Sequence, residues 1–110
     1  MITSRTNDRI RSYRSLITKP EAGLVTLEGP RLIEDCAATG ASFRELFVTP
    51  KGTGWPGYHS IRSAVSASGG TITEVSEDIL GYMCEVEHPQ GMAAIAEWLP
   101  ATEIGPDRPV

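Results

Sequence analysis

The first twenty residues, MITSRTNDRIRSYRSLITKP, hold Arg5, Arg9, Arg11, Arg14 and Lys19 against a single acid, Asp8. Guanidinium groups at this density suit one kind of chemistry, the holding of a polyanion through charge and paired hydrogen bonds. The other ninety residues carry five basic and thirteen acidic side chains, so a +4 segment is attached to a −8 body in a chain of net charge −4. A protein that coated a polyanion with its whole surface would be basic throughout. The asymmetry confines such a contact to one edge.

Two more spots carry groups suited to reading a ligand. Glu28-Gly29, with Arg31 just beyond, and Gln90-Gly91 place a carboxylate and a primary amide beside glycines. An amide both donates and accepts, as a nucleotide edge requires. Each has a plainer reading: Glu28 as a carboxylate that caps a helix or ties down a loop, and Gln90 as a turn residue in HPQG. Bond-making chemistry has no comparable set. Cys36 and Cys84 lie far apart, His59 sits in a glycine-rich loop and His88 precedes a proline, none with a nucleophile or metal-ligand companion. The cysteines read as small half-buried hydrophobes, and no catalytic or metal-binding residue is expected.

The elements that must position these groups alternate. Ile10, Tyr13, Leu16 and Ile17 fall at helical spacing behind Asn7, a suitable N-cap. Gly23 to Leu27 reads as a buried strand, and Pro30 to Gly40 as a helix bracketed by proline at its start and glycine past its end. Phe43 to Thr49 is a second strand. The stretch Pro50 to Ser60 is a loop whose Trp55 and Tyr58 either stack on bases or, more commonly for loop aromatics, anchor the loop. A helix from Ile61 to Ser68, a strand from Thr71 to Val75, a helix capped by Ser76 and a strand from Met92 to Leu99 complete the order. Such alternation predicts an α/β fold, a three-layer α/β/α sandwich with a mostly parallel sheet. The proline-rich tail, residues 100–110, reads as a linker or disordered tail after a domain of residues 1–99.

The length of 110 residues suits one domain, and no apolar run approaches the ~20 residues that span a bilayer. The N-terminal residues lack the apolar core of a secretory signal, since Arg5, Asp8, Arg9, Arg11 and Arg14 interrupt them, so a cytoplasmic location and no membrane partner are expected.

The run Ser4-x-x-Asn7-x-x-Ile10-Arg11, then Leu24 to Glu34 (LVTLEGPRLIE), the Phe43 to Thr49 strand, Val75-Ser76 and His88-Pro89-Gln90-Gly91-Met92-Ala93-Ala94-Ile95 appear in order. Together they resemble the N-terminal substrate-binding domain of the SpoU (TrmH-type) RNA 2′-O-ribose methyltransferases. The resemblance implies a sandwich similar to small ribosomal-protein-like RNA-binding domains, which holds RNA while a separate knotted domain binds S-adenosylmethionine, dimerises and does the chemistry. It implies ribosomal RNA as the favoured partner, with transfer RNA as the other, and no catalysis by these 110 residues alone. The RNA-binding set would be Arg5, Asn7, Arg9, Arg11, Arg14, Glu28, Gly29, Arg31, Gln90 and Gly91. Where the family carries a lysine- and arginine-rich turn, this sequence has Thr18-Lys19-Pro20-Glu21-Ala22, which shifts the electrostatic work to the helix arginines. Two other readings stay open: a stand-alone RNA- or ribosome-binding module, and a protein-contact or dimerisation domain.

Overall fold

In the computed structural model, which describes residues 1–97, four helices alternate with four strands. Helix α1, Asp8–Thr18, starts where Asn7 Oδ1 accepts the Arg9 amide at 2.8 Å, and it buries Ile10 and Tyr13. Strand β1, Leu24–Glu28, leads through Gly29 into α2, Pro30–Ala38. Pro30 occupies the first helical position, where its missing N–H is no loss. Strand β2, Ser42–Val48, is followed by a single 3₁₀ turn at Gly52–Gly54 and by α3, Tyr58–Ala67. Strand β3, Thr71–Glu74, then α4, Glu77–Met83, capped by Ser76 Oγ on the Ile79 amide, and β4, Met92–Glu97, complete the order. Helix α3 begins at Tyr58 rather than at Ile61, because the Tyr58 amide already bonds to Trp55 O at 2.9 Å. The tail at 100–110 and the last residues assigned to the final strand lie outside the described residues.

Period-two alternation along β4 builds both cores. Met92, Ala94 and Ala96 pack with Ile33 of α2 and with Ile61 and Val65 of α3, while Ala93 and Ile95 pack with Ile10 and Tyr13 of α1 and with Ile79, Leu80 and Met83 of α4. The expected three layers are therefore present, α1 and α4 on one face and α2 and α3 on the other. Along β2, Phe43 and Leu46 reach the same core although they are an odd number of residues apart. A β-bulge between Phe43 and Glu45 accounts for this: the paired polar residues Arg44-Glu45 absorb one extra residue and reset the alternation.

The sheet itself is mixed, not mostly parallel. Its order is β1-β4-β2-β3; β2 pairs parallel with β3, but β4 runs antiparallel to both β1 and β2. The cause is the segment between the last two strands. Val48 is paired with Glu74, the end of β3, and with Met92, the start of β4, so the chain leaves and re-enters the sheet at the same end. Of residues 75–91 between them, α4 extends only ~10 Å, and the rest is tied down at the same end, where Glu28 accepts from the Glu85 and Val86 amides and Gly91 O accepts from the Thr49 amide. The outer edge of β3 is partly closed by the chain start, where the Ile2 amide donates to Glu74 O at 2.8 Å and Ile2 O accepts from the Ser76 amide at 3.0 Å.

Candidate nucleic-acid interface

The pairing of Ile2 with Val75 places the segment before α1 beside α4. There the guanidinium carbons of Arg5 and Arg14 lie 4.5 Å and 4.3 Å from the centre of the Tyr82 ring. Arg14 also donates through Nη1 to Tyr82 O. Cation–π contacts of this kind hold the charge in place without neutralising it. Arg9 is different: its Nη1 meets Glu45 Oε2 at 2.6 Å, and Thr73 Oγ1 donates to the same oxygen. Arg11, exposed on the helix, makes no ion pair or side-chain hydrogen bond among the described residues. The four arginines thus divide into two preorganised on an aromatic ring, one paired with an acid and one unpaired. Asn7 is occupied as the α1 cap, so its contribution to this edge is the position of the helix.

Glu28 stands at the carboxyl end of β1 and is a hub for three elements. Its Oε2 accepts from Tyr13 Oη at 2.7 Å, and its two oxygens accept from the Glu85 amide at 3.0 Å and the Val86 amide at 2.9 Å. Residues 85–86, which follow α4 and precede β4, are thereby tied to both β1 and α1. Cys84 lies in the same cluster. Burial, and then the Glu28 carboxylate, push its thiol up to about 12. Burial and the hydrogen bond to Glu28 likewise raise the Tyr13 phenol well above its ordinary value.

These shifts make a pH prediction. Both groups hold their protons more tightly when folded, so their stabilisation is complete below the unfolded pKa values, about 8.5 for a thiol and about 10 for a phenol. The thiol's share is lost as pH rises toward 12, and the phenol's begins to fall only above about 10. The thermal midpoint followed by circular dichroism should be flat from pH 7 to 8 and fall from about pH 9, and Cys84→Ala should move the onset toward pH 10. An unchanged onset in Cys84→Ala would rule out the thiol as its cause.

On the far side of residues 85–86 lies an open cleft of about 470 Å³, with Glu28, Gly29 and Arg31 on one wall and Val86, His88 and Gln90 on the other. The Gly29 amide donates to Met92 O at 3.0 Å, which joins the start of α2 to the start of β4. Gly91, at φ +90, packs so tightly on Gly52 that a Cβ on Gly91 would stand 2.6 Å from the Gly52 Cα. Buried Thr49 completes this joint: its amide donates to Gly91 O at 3.0 Å and its Oγ1 accepts from the Gly52 amide at 3.1 Å. Gln90 is held just ahead of this joint, exposed, at φ 54.

Of the residues expected at the site, Glu28, Gly29, Arg31 and Gln90 line the cleft, and Gly91 anchors it from behind. Arg5 and Arg14 occupy a separate edge, on the other side of residues 84–86, with Arg9 and Arg11 on the same helix as Arg14. Trp55 anchors its loop, its indole Nε1 donating to Glu34 Oε1 of α2 at 3.1 Å. Residues 7–94 match the family of MRM3-like substrate binding domains. The chain belongs to this family. The substrate-binding domain is also similar in fold to an rRNA methyltransferase from Sinorhizobium meliloti, with a TM-score of 0.74 and 25% identity over 89% of this chain and 36% of that one. An AdoMet-bound rRNA methyltransferase from the same organism gives 0.73 and 24% over 96% and 40%, and an RNA 2′-O ribose methyltransferase 0.67 and 24% over 87% and 36%. The domain therefore spans well under half the length of these solved structures. None of the curated proteins compared with it matches.

Within this substrate-binding domain, Tyr82, Glu45, Val86 and the Thr49-Gly52 joint are parts that sequence reading does not single out. Tyr82 carries no signal beyond an aromatic residue near the end of a short helix. Glu45 lies in an ordinary strand, and its partner is 36 residues away. Only Gly52 leaves a trace, as one of the glycines in the loop after β2.

Proposed function

We propose that this domain captures RNA, ribosomal RNA in preference to transfer RNA, for an S-adenosylmethionine-dependent RNA 2′-O-ribose methyltransferase. The observation that carries the reading is the family match across residues 7–94, which takes in the cleft and, Arg5 apart, the arginine edge. The arginine edge supports it physically, since phosphate contacts supply most of the affinity in such complexes. In this reading Arg5, Arg11, Arg14 and Arg31 meet phosphates. Asn7 and Arg9 fix α1, and Glu28, Gly29, Gln90 and Gly91 shape the cleft. S-adenosylmethionine and the methyl transfer belong to a catalytic domain joined through residues 100–110, and that domain pairs the protein with a second copy in the cytoplasm.

The test has two arms. Fluorescence anisotropy of the chain with ribosomal RNA fragments and with transfer RNA, over a range of salt, should show salt-dependent binding that favours the ribosomal fragments. Methylation mapping with the intact enzyme should place a 2′-O-methyl group within the bound fragment. Failure to bind either RNA at low salt, together with concentration-dependent dimers in sedimentation, would establish a protein-contact domain instead. The ion pair between Arg9 and Glu45, which leaves one guanidinium of the helix already engaged within the domain, is the observation that favours that second reading.

A further inference from the structure

The described residues expose four large hydrophobic side chains, Met1, Val25, Leu32 and Val86, and two of them line the same cleft. Leu32, 47% exposed, comes from α2, and Val86, 45% exposed, comes from the segment that Glu28 holds. Together these two side chains, from separate elements on one concavity, offer a small apolar surface to a ligand seated there. The charges around them decide by what. Arg31, exposed at the start of α2, can meet a phosphate from outside, but Glu28 and Asp35 outnumber it in the lining and Glu85 and Glu87 are exposed on the adjoining segment, so the cleft does not draw a phosphate into itself. A neutral planar group with hydrogen-bonding edges fits instead. Gln90 supplies the complement: it is the one non-glycine residue with positive φ among the described residues. Such a conformation carries a strain of order 1–2 kcal/mol, and here it puts an amide that both donates and accepts at the cleft.

We infer that this cleft receives a single unpaired base of the RNA, with Leu32 and Val86 covering its faces and Gln90, Asp35 and His88 available to its edge. The inference rests on the RNA-capture reading and divides its labour. Residues 84–86 separate two concavities: Arg14 lies with Cys84 and Glu85 on one side, and Gln90 lies with Val86 on the other. A strand crossing this partition would leave phosphates with the arginines and extend a base into the cleft. Double-stranded RNA keeps its bases stacked, so the occupant is a nucleotide from a loop, bulge or end. The cleft volume lies within the range of sites that take small ligands.

The test compares an RNA hairpin carrying a randomised loop of about seven nucleotides with a fully paired duplex of equal length, titrated against the chain at several salt concentrations. The hairpin should bind about tenfold more tightly than the duplex. Leu32→Ser/Val86→Ser should abolish that preference, leaving duplex affinity and the salt dependence unchanged. Both positions are exposed, so the variant should keep its far-ultraviolet circular dichroism, and Gln90→Ala provides a second, independent probe of the same preference. Salt-dependent binding with equal affinity for the two RNAs, or a hairpin preference that survives both variants, would overturn the base-binding cleft and leave RNA capture standing. Absence of binding to either RNA at low salt would overturn RNA capture itself, and the cleft assignment with it.

Discussion

Glu28→Ala is expected to destabilise the fold by about 3 kcal/mol, lowering the thermal midpoint by roughly 15 °C. The magnitude follows from what the carboxylate satisfies. Tyr13 is fully buried, and its hydroxyl has Glu28 as its acceptor. Removing that acceptor strands a buried donor, which costs about 1–3 kcal/mol by itself. The Glu85 and Val86 amides also lose a charged acceptor, but both residues are exposed and water can replace part of it. Tyr13→Phe should cost much less, about 1 kcal/mol, because Glu28 then keeps its two backbone donors and no buried hydroxyl is orphaned. The double variant should be less destabilised than the sum of the singles, since Tyr13→Phe removes the very hydroxyl that Glu28→Ala would otherwise strand. Urea denaturation of the four proteins measures each term. A loss below about 0.5 kcal/mol in Glu28→Ala would show that the 85–86 segment is held by other means.

The same residue shows where sequence reading reaches and where it stops. The type and order of the elements are legible because each is bracketed locally: Asn7 and Ser76 cap helices, Pro30 opens one, and the apolar spacing of Ile10, Tyr13, Ile33, Ile61 and Val65 repeats the burial pattern. The direction of β4 is not legible. MAAIAE reads the same in either orientation, and only the pairing of both Glu74 and Met92 with Val48 fixes it. Glu28 stands out in the sequence for its place after β1, with loop anchoring among its readings. Its partners, Tyr13 and residues 85–86, are 15 and 57–58 positions away, and Tyr13 is simply one apolar member of the α1 stripe until the fold is known. The arginine segment is legible as charge, but its internal division is not. Which guanidinium is neutralised depends on Glu45 and which are stacked depends on Tyr82, both contacts made through tertiary packing.

That division leads to the largest effect expected on RNA binding. Arg5→Ala/Arg11→Ala/Arg14→Ala should weaken RNA binding about 100-fold at about 150 mM salt and reduce the slope of log affinity against log salt by about 2 to 2.7, three contacts at about 0.7–0.9 each. Arg9→Ala should change that slope by less than about 0.3, because Glu45 already balances its charge and removal of the arginine releases an acid into the same neighbourhood. A uniform basic face would lose the same amount at each position, so the contrast between Arg11 and Arg9 is the informative comparison. Screening sharpens it: at physiological salt a charge acts over ~8 Å, about half the ~16 Å length of α1, so each guanidinium reports its own surroundings and not the net −4 of the chain. Tyr82→Ala adds a control that leaves every charge in place. It frees Arg5 and Arg14 from the ring, so RNA affinity should drop several-fold through the entropy of reordering two long side chains, with the salt slope unchanged. If Arg9→Ala lowers the slope as much as Arg11→Ala, then RNA breaks the Arg9–Glu45 pair on binding, and the whole helix edge, not a preorganised subset, grips the phosphates.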